Sequence, residues 1–332
     1  MKVLSKASVE AHQIFRLIEP EVREVEARLK TEAVSKLKIV GEMNRYLHES
    51  GGKRLRPSLL LLVSKMLGAD REPAVQLGVV VELIHVATLV HDDIIDNANV
   101  RRGRRSLNSK WGNDVTVLFG DWLYMTAFWI ALQQRNFRIL DVLIDLTRTM
   151  VEGELIQLEQ NYQLDTPVER YLKICWHKTA HLFSGCSRLG AILSGASGEQ
   201  EEKLARYGES LGMAFQLIDD LLDYTSDQKV LGKPVLKDLE EGNITLPVIR
   251  LMEKAEPEDR DFVRAVVEGQ DFSPENKQQI LQLIQRYETL DDLRSLAEQY
   301  ASEALGELAG IPDSEYRDAL TRIPDLVISR QK

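Results

Sequence analysis

The stretch "LGVVVELIHVATLVHDDIID", residues 77–96, is apolar around nearly its whole circumference and closes on Asp92, Asp93 and Asp96. An all-round apolar segment of this length reads as one long helix over residues 77–97 in the centre of a bundle. Unpaired carboxylates carried into such surroundings cost roughly several kcal/mol each, so these aspartates must face something that compensates them.

Working outward, the rest of the chain also reads as helix. Apolar residues recur at three and four, as in Ile280, Leu283 and Ile284, or Leu293, Leu296, Ala297 and Tyr300. Prolines fall where helices start. "DTPVERYL" predicts a capping box with Thr166 as N-cap, Pro167 in the first turn and Glu169 three residues on. Ser273 with Pro274, and Thr289 with Asp292, predict two more starts. Sustained two-residue alternation, internal repeats and long linkers are missing from the sequence. The expectation is an all-α chain forming a single domain over residues 1–332.

The balance of 42 Lys+Arg against 52 Asp+Glu, a formal net charge of -10, argues against nonspecific nucleic-acid binding. Two cysteines, Cys175 and Cys186, are too few for a disulfide framework and suit a reducing compartment. The N-terminal "MKVLSKASVEAHQIF" has no apolar signal core, and no run reaches about 18 uninterrupted apolar residues. A cytoplasmic protein without an integral membrane segment is expected.

On a helix, Asp92 and Asp96 are four apart and about 40° from one another, so their carboxylates are neighbours on one face. A solvated helix end paired with Arg101 and Arg102 is one reading. The other is a hard divalent cation such as Mg²⁺, held by one or two carboxylates together with phosphate oxygens. "GMAFQLIDDLLDYTSD" repeats the arrangement far down the chain with Asp219, Asp220 and Asp223, again at the end of an apolar helical run. Two such clusters facing each other across a cavity mouth would hold several Mg²⁺ ions around one diphosphate and make it a good leaving group.

Cations suited to a diphosphate accompany the clusters. "ESGGKRLRP" supplies Lys53, Arg54 and Arg56 beside Gly51–Gly52, where backbone N–H groups can approach a phosphate. "NVRRGRRS" adds Arg101 and Arg102, "HKTAHLF" adds Lys178 and Thr179, and "LGKPVLKDLEEGN" adds Lys233 and Lys237; Arg104 and Arg105 read as surface. His85 lies about two turns before Asp92 and some 20° off the same face.

With these residues in hand, the chain resembles the trans-isoprenyl diphosphate synthases (polyprenyl synthetases), most closely the bacterial medium- and long-chain members of the octaprenyl and heptaprenyl type. "GGKRLRP", "ELIHVATLVHDDIID", "RRG", "LFGDWLY", "EGELIQLE", "KTAHLF", "AFQLIDDLLDY" and "LGKPVLKDLEEGNITLP" occur in family order over nearly the whole chain. The resemblance implies a helical bundle around a deep apolar cavity, a homodimer, and head-to-tail condensation of an allylic diphosphate (farnesyl or geranylgeranyl) with isopentenyl diphosphate.

It further implies three Mg²⁺ ions held by Asp92, Asp96 and Asp219 with support from Asp93, Asp220 and Asp223. Arg101, Lys178, Lys233 and Lys237 would contact the allylic diphosphate. Gly52, Lys53, Arg56, His85 and Arg102 would hold isopentenyl diphosphate. Gln216, Thr179 and the carbonyl of Lys178 would steady the allylic cation, and the released diphosphate would take the proton. The chain departs from the family pattern at Asn243, where shorter-chain members often carry lysine, and at Leu236, where a glycine is usual.

Small residues at Ala87 and Thr88, just before the first cluster, would leave a product tunnel open below the metals. Met125, Phe128, Trp129 and Leu132 are candidates for its floor. A product longer than C20, about C30 to C40, is expected from a tunnel of this kind. The catalytic subunit of a heteromeric prenyl synthase and a short-chain (C15–C20) synthase are alternatives. A terpene cyclase fits less well, because "GGKRLRP" and an intact second aspartate cluster are both present.

Overall fold

The computed structural model describes residues 13–32, 35–49, 51–101, 103–225 and 235–330. Among them are sixteen α-helices and one two-stranded hairpin. The first helices are α1 (Glu19–Glu32), α2 (Lys38–Glu49), α3 (Leu55–Met66) and α4 (Arg71–Ile95). Strands β1 (Val100–Arg101) and β2 (Arg104–Arg105) pair antiparallel, and α5 (Leu107–Trp111), α6 (Asn113–Gln133) and α7 (Phe137–Gln160) follow. Next come α8 (Val168–Cys175), a single π-helical turn (Trp176–Ala180), α9 (His181–Leu193) and α10 (Gly198–Thr225). The chain continues through α11 (Lys237–Glu240), α12 (Leu246–Lys254), α13 (Pro257–Gly269), α14 (Pro274–Arg286), α15 (Thr289–Glu307) and α16 (Glu315–Ile328).

The all-α expectation is met. Helix α4 starts earlier than its apolar run suggested, at Arg71, and ends at Ile95, with Asp96 as its C-cap. It is buried along most of its length, packing on α3, α6 and α1. By length and hydropathy α4 and α6 would each pass as a membrane span. However, α4 is mostly buried in the bundle, and α6 lays one side against α4.

The local start signals are met unevenly. Ser273 caps α14 as expected, its side chain accepting the backbone N–H of Asn276. Helix α8 starts at Val168 without a side-chain cap, and Thr166 instead donates its hydroxyl to the carbonyl of Gln163. Helix α15 does begin at Thr289, but Glu288, in the left-handed region at φ 53°, occupies the cap position. Arg101, Arg104 and Arg105 lie on the two-stranded hairpin that follows the first cluster.

Candidate active site

The C-terminal ends of α4 and α10 both open on one cavity of about 730 Å³. It is lined by Asp92 and Asp96 from the first cluster and Asp219 and Asp220 from the second. Gly52, Lys53, Arg56, His85, Arg101, Lys178, Thr179 and Gln216 line it as well. Residues far apart in sequence, singled out for diphosphate chemistry, thus share one space. Arg102 and Lys233, also expected there, lie outside the described residues.

Burial sets the protonation of the carboxylates. It pushes Asp92 up to about 7, with Glu154 and Asp96 adding to the rise and Lys178 opposing it. Asp96 is raised by burial and then by Glu241. Asp220 is raised to about 7 by burial, against hydrogen bonds from Tyr171 and Gln216. A divalent cation would relieve this crowding of carboxylates. Among the described residues, no three Asp, Glu, His or Cys side chains converge closely enough to hold a metal alone. Mg²⁺ keeps several waters and takes substrate phosphate oxygens as ligands beside one or two carboxylates.

The remaining aspartates of each cluster turn away from the cavity lining. Asp93 is buried about 100° around α4 from Asp92 and accepts Arg101 Nε at 2.5 Å. Asp223 accepts the backbone N–H groups of Lys237 (3.2 Å) and Asp238 (3.3 Å), which fixes the start of α11. Lys237, expected at the allylic diphosphate, pairs with Glu241 at 2.6 Å and is not among the lining residues.

The turn before α3 is held by Arg54, a buried residue in the left-handed region at φ 49°, whose Nη1 donates to buried Glu82 at 2.7 Å. Beyond it, Arg56 lies 3.1 Å from His85 Nε2 and stacks over Phe183 at 5.1 Å. Burial depresses the Arg56 pKa, and its Nε has no hydrogen-bond partner. A desolvated guanidinium with an unmatched donor is suited to an anion.

Lys178 and Thr179 sit in the π-helical turn, an irregularity that recurs at functional sites. A Cβ on Gly153 of α7 would lie 2.6 Å from His177 Cβ, so only glycine lets the turn pack this closely. Across that contact, Lys178 Nζ meets Glu154 at 2.6 Å and Gln157 Oε1 at 2.8 Å. Gln157 Nε2 in turn donates to Asn243 Oδ1 at 2.5 Å. The sequence reading missed Glu154 and Gln157 as site residues. Their spacing of three on one helix within "EGELIQLE" was the available signal.

A second, more apolar cavity of about 400 Å³ adjoins the first and shares Thr88, Asp92 and Lys178 with it. Tyr124 and Met150 line its interior. The expected floor is differently built. Met125 and Trp129 project outward, 62% and 64% exposed, and Phe128 packs against the core. Ala87 is fully buried and lines neither cavity, so of the expected length-setting residues only Thr88 does.

A family model described as polyprenyl synthetase matches residues 37–284. The chain belongs to the polyprenyl synthetase family. It is a trans-prenyltransferase. It is 33% identical over 318 residues to an octaprenyl diphosphate synthase of Haemophilus influenzae, covering 96% of each chain. A decaprenyl diphosphate synthase structure from Rhodobacter capsulatus superposes with a TM-score of 0.92 at 33% identity, over 97% of this chain and 99% of that one. A polyprenyl synthase from Caulobacter crescentus, complexed with calcium and isoprenyl diphosphate, gives a TM-score of 0.92 at 33% identity, over 97% and 98%. The family uses Mg²⁺ in binding diphosphate.

Proposed function

We propose that this single-domain enzyme (residues 1–332) condenses an allylic diphosphate with isopentenyl diphosphate and extends it to a product of about C30 to C40, set by the depth of its apolar cavity. The observation that carries this reading is the shared cavity, lined by aspartates of both clusters together with Arg56, His85 and Lys178. Relatives named as octaprenyl and decaprenyl synthases support a product beyond C20.

Asp92, Asp96 and Asp219 would hold Mg²⁺, about three ions per site as the family resemblance implies, with Asp93, Asp220 and Asp223 in support. When bound, Mg²⁺ neutralises charge developing on the leaving diphosphate. Lys178 and Arg101 bind the allylic diphosphate, and Lys53, Arg56 and His85, with the backbone at Gly52, hold isopentenyl diphosphate. The allylic C–O bond breaks and its electron pair leaves with the diphosphate. Gln216, Thr179 and the Lys178 carbonyl steady the cation while the isopentenyl double bond attacks it. The proton is then lost to the released diphosphate. The apolar walls around Thr88, Tyr124 and Met150 exclude water from the cation.

The protein works as a homodimer. Helices α6 and α7 expose Leu118, Trp122, Met125 and Trp129 beside Ile144, Val151 and Leu155, an apolar face that a second copy would cover. Val151 and Leu155 also border the tunnel cavity, so the partner would close its open side. Both cysteines are buried and unpaired, in keeping with a cytoplasmic location. The test is to incubate the purified protein with Mg²⁺, farnesyl diphosphate and labelled isopentenyl diphosphate and to weigh the products. A discrete series beyond C20 that disappears with EDTA supports the reading; no condensation by folded protein refutes it.

A further inference from the structure

On the wall below the second acidic cluster, four side chains form one hydrogen-bonded chain. Tyr171, buried on α8, donates its hydroxyl to Asp220 Oδ2 at 2.5 Å. Gln216 Nε2 donates to Asp220 Oδ1 at 2.7 Å. Thr179 Oγ1 donates to Gln216 Oε1 at 2.6 Å. All four residues line the diphosphate cavity. With Mg²⁺ in the acidic cluster the Asp220 carboxylate is ionised and only accepts hydrogen bonds, so it compels the Gln216 amide to turn its N–H₂ toward the cluster and its oxygen toward Thr179. The single hydroxyl hydrogen of Thr179 is then also committed. Gln216 Oε1 and Thr179 Oγ1 each keep a lone pair, while the Thr179 hydroxyl hydrogen and one Gln216 amide hydrogen are committed to Gln216 and Asp220.

We propose that Tyr171 is a positioning residue for the reaction: its hydroxyl fixes Asp220, and Asp220 fixes the Gln216 amide with its oxygen toward the allylic cation. A flipped amide would aim N–H groups at that cation and destabilise it. Asp220 thus serves the organic end of the substrate as well as the acidic cluster. The inference rests on the proposed role of Gln216 and Thr179 in steadying the cation.

The test compares two probes by titration calorimetry in Mg²⁺. One is farnesyl thiolodiphosphate, neutral at the reacting carbon. The other is an ammonium analogue with positive charge at that carbon, bound together with inorganic diphosphate. Tyr171→Phe keeps the ring and removes only the hydroxyl. It is expected to weaken the ammonium analogue about tenfold while the thiolodiphosphate stays within about twofold. A merely structural role would weaken both alike, and that result, or no weakening of either, overturns the proposal. In a Gln216→Leu background, Tyr171→Phe should have no further effect on the ammonium analogue; a further loss also overturns it. Should Tyr171→Phe fail to fold, Tyr171→Met, which also lacks the donor, carries the same expectation. If the wild-type protein binds no thiolodiphosphate, the prenyl synthase reading itself fails, a distinct outcome.

Discussion

Lys178 and Glu154 stand 2.6 Å apart across the contact between α7 and the π-helical turn, with Gln157 accepting from the same ammonium at 2.8 Å. Two helix positions three apart thus hold one cation at the edge of the cavity before any substrate arrives. Gln157→Ala removes the neutral partner and also releases Asn243. The expected outcome is a rise of about three- to tenfold in the KM for the allylic diphosphate with kcat little changed, read by steady-state kinetics.

The two adjacent aspartates of the first cluster should behave differently. Asp92→Asn alters a carboxylate in the cavity lining, and a loss of about 10² to 10³ in kcat is expected, by analogy with removal of a charge-stabilising group. Asp93→Asn instead loosens the contact that positions Arg101 at the cavity edge. Its main effect should be a stability loss of about 1–3 kcal/mol, seen in chemical denaturation, with a smaller loss of rate.

Product length offers a third comparison. Thr88→Phe places a ring in the space shared by the two cavities and should shorten the product to about C15–C20, as judged by mass spectrometry. Ala87→Phe meets a filled core and should cost about 1–3 kcal/mol of stability instead. Trp129→Ala, on the outer face, should leave product length alone and weaken association, measured by sedimentation.

Metal removal should separate binding from folding. EDTA is expected to abolish condensation while the helical fold persists. Adding Mg²⁺ with inorganic diphosphate should then raise the Tm in a concentration-dependent way, because the ligands bind only the folded state. No thermal shift with both present would count against a metal–diphosphate site.

Acid sensitivity has a contributor outside the site. Burial on α2, with Arg54 and Lys30 nearby, lowers His48 from 6.5 to about 4. The unfolded chain binds this proton more readily, so neutral His48 supports the fold fully above about pH 6.5, and that support is lost as the pH falls toward 4. His48→Gln should flatten this part of the stability profile by up to about 3 kcal/mol, measured by denaturation at a series of pH values.

What the sequence by itself determined is the helical class, the two aspartate clusters at the ends of apolar helices, and the glycine-flanked cations that match a diphosphate. These are local properties: periodicity, spacing and charge are written along the chain, and the long apolar run of α4 admits only a central helix. Tertiary packing alone decided which members of each cluster face the cavity. Asp92 and Asp93 are neighbours in sequence, yet a 100° step around the helix sends one to the cavity and the other to Arg101. It also decided that Asp223 anchors α11, that Lys178 meets Glu154, and that Met125 and Trp129 leave the tunnel for the outer face. In each case the partner comes from a distant element, and the direction of a side chain depends on which neighbour its helix packs against. The same competition explains the caps: Thr166 kept the residue type of an N-cap, but its hydroxyl found the carbonyl of Gln163 first.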